Sequence, residues 1–160
     1  MNRIQKIFQN RTEKVIPFFT AGYPAKKDSI DMVLAAEKSG AAMVELGMPF
    51  SDPLADGPLI QKTSQKAIEN GVTINWILET VSDIRQQSDI PIALMGYINP
   101  ILKFGLTKFT KSCSDAGVDG LIIPDLPPEE ADDYVKSSKK NGISPILLVA
   151  PNTPEKRIQE

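Results

Sequence analysis

The sequence predicts an α/β fold built on a parallel sheet. Five apolar runs of about four to six residues are mostly unbroken and are bounded by Gly or Pro, which is typical of strands buried on both faces. Stretches with helical apolar spacing separate these runs. Gly40, Gly117 and Gly142 each follow such a stretch shortly before the next run. This regular alternation favours βα units with right-handed crossovers.

One domain is expected over residues 1–160, with five strands and four complete helices between them. The strands are predicted near residues 15–20, 42–46, 91–95, 120–124 and 145–149. A short helix from Arg3 to Phe8 is expected before the first strand.

The first helix between strands is predicted from Ile30, Val33 and Leu34, which recur at i, i+3 and i+4 behind possible caps at Asp28 and Ser29. A longer apolar stripe over residues 74–84 follows Thr73, a good N-cap residue. A further helical pattern surrounds Cys113, which is expected in the core.

The clearest helix is predicted over residues 127–142. It opens with two prolines and two acids and closes with two lysines, Asn and Gly, which suits the helix dipole at both ends. Thr153, Pro154 and Glu155 then start another helix that has only residues 156–160 left. A helix this short is marginal, so the chain is expected to stop inside an element.

Composition excludes several classes of protein. The 160 residues are 41% hydrophobic and 24% charged, with a formal net charge of −2, which excludes a disordered chain and disfavours a nucleic-acid binder. No apolar run approaches the roughly 20 residues that cross a bilayer. The single Cys113 excludes an internal disulfide, which suits a cytoplasmic protein.

The chain contains no histidine. This excludes the Ser-His-Asp triad, the Cys-His pair and His-ligated metal, and no metal site is expected. Acid–base chemistry therefore has to rely on carboxyl groups whose pKa the fold has shifted.

Glu45 is the first candidate for such chemistry. It is a lone acid near the end of a buried strand, where an apolar residue is expected, and burial without a cation raises a carboxyl pKa. The alternative is a strand-end acid paired with a lysine or a backbone N–H group. The two interpretations are about equally supported by its position.

Asp56 lies in a long Pro-rich loop that follows the same strand, where it can face Glu45 across a pocket mouth. A turn-forming role before Gly57 is somewhat favoured, and Asp52 before Pro53 is still more typical of a turn.

Tyr97 and Asp125 follow the third and fourth strands at the same edge of the sheet. Tyr97 fits a packed aromatic residue with a bonded hydroxyl as well as a site residue. Asp125 fits best as the cap of the helix that begins at Pro127 or Pro128.

Four blocks of sequence resemble the tryptophan synthase alpha subunit family. They are residues 17–24, 44–58, 95–100 and 125–127. The most specific is Glu-Leu-Gly-x-Pro-Phe-Ser-Asp-Pro-x-Ala-Asp-Gly-Pro at residues 45–58, and the blocks occur in the order found in the family.

The resemblance implies a (β/α)8 barrel, of which this chain supplies the first five β/α units. It also implies a lyase that cleaves indole-3-glycerol phosphate to indole and glyceraldehyde 3-phosphate, a retro-aldol step in tryptophan biosynthesis without a cofactor in this subunit. Glu45 corresponds to the acid/base, and Asp56 to the acid that accepts a hydrogen bond from the indole N–H.

The resemblance also assigns the pocket and the partner. Phe18, Tyr97 and Ile122 correspond to residues that line the indole pocket, and Thr20 and Asp125 to residues that support substrate binding. Residues Pro49, Asp52 and Pro53 lie on the surface that meets the beta subunit, a pyridoxal-phosphate enzyme that receives indole in an alpha2-beta2 heterotetramer.

The length departs from the family, because a barrel of this kind needs about 250 residues and eight strands. Phosphate-binding loops follow the later strands, so the 160 residues alone are expected to form an open sheet with exposed edges and to show no turnover. Two alternatives stay open. One is an interaction module that docks on the beta subunit without chemistry, and the other is a five-stranded doubly wound domain that binds a small ligand.

Overall fold

The computed structural model describes residues 2–9 and 13–159, apart from the side chain of Gln159. A five-stranded parallel sheet holds the strands in the order of the sequence: β1 (Phe18–Thr20), β2 (Val44–Gly47), β3 (Ile92–Met95), β4 (Gly120–Ile122) and β5 (Ser144–Ile146). All five strands overlap the predicted positions.

Eight α-helices accompany the strands in the described part of the chain. They are α1 (Arg3–Ile7), α2 (Asp28–Lys38), α3 (Pro58–Glu69), α4 (Ile74–Arg85), α5 (Ile98–Phe104), α6 (Leu106–Ala116), α7 (Asp132–Lys140) and α8 (Glu155–Gln159). The expected count of four helices between the strands is wrong, because two of the connections hold two helices each.

The single helix predicted over residues 127–142 is also divided. Pro128–Glu130 form a 3₁₀ turn and α7 begins afresh at Asp132, while Gly142 ends the helix with a positive φ as predicted. The short terminal helix begins at Glu155 as predicted, and Glu160 lies outside the described residues.

The two faces of the sheet pack against different partners. Alternate strand residues such as Leu46, Leu94 and Leu121 belong to a large core that includes residues of α2, α4, α6 and α7. The opposite residues, among them Met43, Ala93 and Ile122, form a smaller cluster with Ile4 of α1. We call the surface with this smaller cluster the inner face.

Sequential strand order with the large helices on one face is the arrangement of part of a (β/α)8 barrel. A doubly wound sheet instead reverses its strand order at a switch point and carries helices on both faces. The doubly wound alternative is therefore wrong. Among the described residues, β1 and β5 each pair with one neighbour, so the sheet is open as expected.

The fifth strand ends earlier than predicted. Pairing stops at Ile146, and Leu147, Leu148 and Val149 are at least half exposed. The apolar character of this segment predicts a strand. Within the described chain, however, no sixth strand pairs with the segment, and its side chains stay exposed.

No helix in the described part of the chain is long and apolar enough to span a membrane.

Candidate active site

The carboxyl ends of the strands bring the predicted site residues to one edge of the sheet. Parallel register aligns Phe18 with Glu45 and Glu45 with Ala93, so these three side chains share the inner face. The next row along the strands contains Thr20, Gly47, Met95 and Ile122.

Glu45 is half-buried on the inner face, between Phe18 and Ala93. In the part of the chain that the structure describes, no group donates a hydrogen bond to its carboxyl and no cation forms an ion pair with it. Burial therefore raises the pKa of Glu45. These findings go against the interpretation of a paired strand-end acid and leave a carboxyl suited to proton transfer.

Asp56 is positioned by Tyr97 rather than by a turn alone. The Tyr97 hydroxyl donates to Asp56 Oδ2 at 3.0 Å and accepts from the backbone N–H of Ala55 at 2.9 Å. Tyr97 is 5% exposed, and burial is the main cause that raises the pKa of its hydroxyl. The hydroxyl therefore keeps its proton through the neutral range.

A small cleft brings three of the predicted residues together. Phe18, Asp56 and Tyr97 line it, together with Gly47 and Met95 among others. The Phe18 ring lies so close over Gly47 that a Cβ at position 47 would collide with it. The glycine thus lets an aromatic ring form a wall of the cleft.

Thr20 and Asp125 hold the edge of the sheet together. The buried Thr20 hydroxyl bonds that of Thr63 in α3 at 2.7 Å. Asp125 Oδ1 accepts from the N–H of Ile98 at 3.0 Å, so it caps α5 and not the helix after Pro128. This correction arises because Asp125 lies beside the end of β3, which no local pattern reveals.

Ile122 lies on the inner face and is buried there with Met43 and Ala93. The residues predicted to contact a partner occupy the loop between β2 and α3. Pro49 and Pro53 are half-buried there and Asp52 is exposed, with its carboxylate accepting from Ser51.

Sequence reasoning missed two aromatic and sulfur contacts in this region. Phe50 packs against Tyr97 with ring centroids 5.4 Å apart, and Met48 fills the space beside Gly96. Phe50 lies inside the 45–58 block, so its place in that block was the available signal. Asp28 and Ser29, expected as helix caps, instead accept from Ala25 and Gly22 in the preceding loop.

No group of three or more His, Cys, Asp or Glu residues in the described chain is arranged to hold a metal ion. This edge of the sheet thus carries two carboxyl groups in different surroundings. Glu45 has no hydrogen-bond partner among the described residues, whereas Asp56 accepts a hydrogen bond from the Tyr97 hydroxyl.

Residues 4–160 match the family model described as tryptophan synthase alpha chain. The alpha chain from Petrotoga mobilis is 46% identical over 160 residues, covering 100% of this chain and 62% of that protein. Tryptophan synthase subunit alpha from Legionella pneumophila superposes with a TM-score of 0.95 at 38% identity, covering 99% of this chain and 63% of that one. A chain of the Pyrococcus furiosus tryptophan synthase α2β2 complex gives 0.87 at 38% identity, covering 91% and 62%. The chain thus spans less than two thirds of these relatives.

Proposed function

Because this chain belongs to the tryptophan synthase alpha chain family, we propose that it carries the acid–base groups of a lyase that cleaves indole-3-glycerol phosphate to indole and glyceraldehyde 3-phosphate. The observation that carries the proposal is Glu45, a half-buried carboxyl on the inner face with a raised pKa and no bonded partner among the described residues.

Glu45 serves as acid and then as base. Its protonated carboxyl gives a proton to the indole carbon that bears the side chain, which turns the ring into a cation. The bond from that carbon to the side chain breaks, and its electron pair restores the aromatic ring. The adjacent hydroxyl becomes the aldehyde and returns its proton to the Glu45 carboxylate. A raised pKa suits this exchange, since the acid must hold a proton near neutral pH.

Asp56 stabilises the charge that appears on the ring. As a carboxylate it accepts a hydrogen bond from the indole N–H, which becomes more acidic when the ring is cationic. Its location in the same cleft as Phe18 and Tyr97 supports this role.

Phe18, Tyr97 and Ile122 supply apolar walls for the indole ring, while Thr20 and Asp125 keep the strand ends in place. Phosphate binding in such barrels uses the loops after strands 7 and 8, and this chain has five described strands. We therefore infer that these 160 residues alone bind the phosphate weakly and turn over little substrate.

A beta subunit is the proposed partner, with Pro49, Asp52 and Pro53 at the contact. The support is the α2β2 assembly of the Pyrococcus furiosus protein and the exposed loop here, in which Leu54 is 94% exposed. That partner supplies pyridoxal phosphate for its own reaction, and no cofactor is proposed for this chain. We also propose that the protein is located in the cytoplasm.

The test is Glu45→Gln in the protein as its gene encodes it, assayed for indole release from indole-3-glycerol phosphate. We expect turnover to fall by about 100-fold or more, since a positioned general acid contributes roughly 10²–10⁴. Glu79→Gln, an exposed residue of α4, is the matched control and should retain activity.

The same assay on wild-type protein separates the lyase from the interaction module that stays open. Wild-type protein that binds the beta subunit but releases no indole would establish the module and refute the lyase. Full activity in Glu45→Gln would refute the assignment of the acid/base to Glu45.

A further inference from the structure

Tyr97 occupies a rigid position at the end of β3. The preceding Gly96 N–H donates to Ile122 O at 3.0 Å, and the following Ile98 N–H donates to Asp125 Oδ1 at 3.0 Å. Both flanking peptides are therefore tied to the region around β4, and the side chain is 5% exposed. Such a residue can hold a loop in place without moving itself.

The loop over residues 49–57 is held by Tyr97 at two points. Near its start, Phe50 packs on the Tyr97 ring. Near its end, Ala55 and Asp56 share the Tyr97 hydroxyl, which accepts from one and donates to the other. By contrast Ser51 and Leu54, in the middle of the loop, are exposed.

The two oxygens of the Asp56 carboxylate are in different situations. Oδ2 accepts from the Tyr97 hydroxyl, and within the described chain no hydrogen-bond donor lies at Oδ1. One oxygen is thereby fixed while the other is left for a ligand N–H group, which is the geometry that a carboxylate needs to receive a developing cation.

We propose that Tyr97 is a positioning residue that acts through Asp56, by holding the loop over residues 49–57 and one carboxylate oxygen in the orientation that receives the ring N–H. This inference rests on the proposed lyase function. It assigns to the Tyr97 hydroxyl a task distinct from lining the indole pocket, which the aromatic ring alone performs.

The kinetic test is a double-mutant cycle with Tyr97→Phe and Asp56→Ala in the protein as its gene encodes it. Tyr97→Phe keeps the ring and removes the hydroxyl, and we expect kcat for indole release to fall about tenfold with little change in KM, since the loss concerns orientation. In the Asp56→Ala background the same change is expected to cost less than about twofold, because residues that act as a unit are not additive.

Fully additive losses would overturn the proposal, since Tyr97 would then act without Asp56. Tyr134→Phe is the matched control. Tyr134 is a buried tyrosine of α7 whose hydroxyl donates to Leu121 O at 2.7 Å. Loss of this hydroxyl should change the free energy of unfolding and leave kcat for indole release unaltered.

A second readout does not depend on turnover. The Ala55 amide donates to the Tyr97 hydroxyl, so its hydrogen exchange should accelerate about tenfold or more in Tyr97→Phe and remain unchanged in Tyr134→Phe. Faster Ala55 exchange in a protein that releases no indole would refute the lyase but confirm that Tyr97 holds the loop. Unchanged exchange in an active protein would refute the positioning role alone.

Discussion

Glu45 has an environment that favours its uncharged form. It lies between Phe18 and Ala93 on the inner face, half-buried, and the pKa of its carboxyl is raised because burial penalises the charge. Glu45 therefore ionises less readily in the folded protein than in the unfolded chain. A residue retained at such a cost to folding is expected to serve the reaction.

Glu45→Gln is therefore predicted to have a higher free energy of unfolding than the wild type, although it loses activity. The unfolded chain titrates Glu45 near pH 4.5 and the folded protein at a higher pH, so the wild-type free energy of unfolding falls as pH rises between these values. Gln does not titrate. Wild type and Glu45→Gln should therefore have similar free energies of unfolding at about pH 4. Glu45→Gln should be the more stable protein at pH values above the pKa of Glu45 in the folded state.

Urea unfolding followed by the fluorescence of Trp76, the single tryptophan, measures this difference from pH 4 to 8. A stability difference that does not vary with pH would contradict the prediction.

Gly47→Ala tests the contact between Phe18 and its strand neighbour. A Cβ at position 47 meets the Phe18 ring, so the ring must move out of the cleft wall at a cost of about 1–3 kcal/mol. Gly57 has no heavy atom near the position of an added Cβ and a negative φ. Gly57→Ala should therefore stay within about 0.5 kcal/mol of the wild type in urea unfolding.

At the scale of elements, α5 is capped by a residue of the loop that follows β4. Tyr97 at its N-cap offers no side-chain hydrogen bond, and Asp125 beyond β4 supplies the carboxylate instead. The start of α5 is therefore coupled to β4.

Asp125→Ala should cost about 1 kcal/mol, the usual worth of an N-cap side chain. The loss should also appear as faster amide exchange at Ile98, measured by NMR. Asp115→Ala removes an exposed i,i+4 partner of Lys111 and is expected to cost less than about 0.5 kcal/mol. Equal losses in the two variants would argue against a capping role.

The central strands β2, β3 and β4 were predictable from sequence because burial on both faces favours short apolar runs. Helix α5 was not predictable, because a proline such as Pro100 usually interrupts a helix. Pro100 lies in the first turn of α5, however, where a proline removes no helical hydrogen bond.

Glu45 could be named as a candidate because it is a lone acid in a buried strand, and Asp56 and Tyr97 because they follow strands. The bond between Asp56 and Tyr97 could not, because it joins residues 41 apart that only the finished sheet brings together.

At the scale of the whole molecule, the opposite end of the sheet holds an ionic cluster. Asp119, 3% exposed, precedes β4 and accepts from Arg85 at 2.7 Å, from Arg3 at 3.2 Å and from the N–H of Ile92 at 3.0 Å. Arg85 also donates to the carbonyl of Ile90 at 2.7 Å. The cluster joins α1, α4, β3 and β4.

Arg85→Met is predicted to cost about 3 kcal/mol, since it leaves a buried carboxylate short of its nearest cation. Lys136→Met, which removes an exposed pair with Asp132, should cost less than about 1 kcal/mol. Urea unfolding of both variants measures the contrast. A loss in Arg85→Met no larger than in Lys136→Met would show that the cluster contributes little.

The ionic cluster lies where the strands begin, whereas Glu45, Asp56 and Tyr97 gather where the strands finish. The ion pairs around Asp119 and the candidate catalytic groups therefore lie at opposite ends of one sheet. Substitutions intended to raise thermal stability can therefore be placed around Asp119, at a distance from the candidate site.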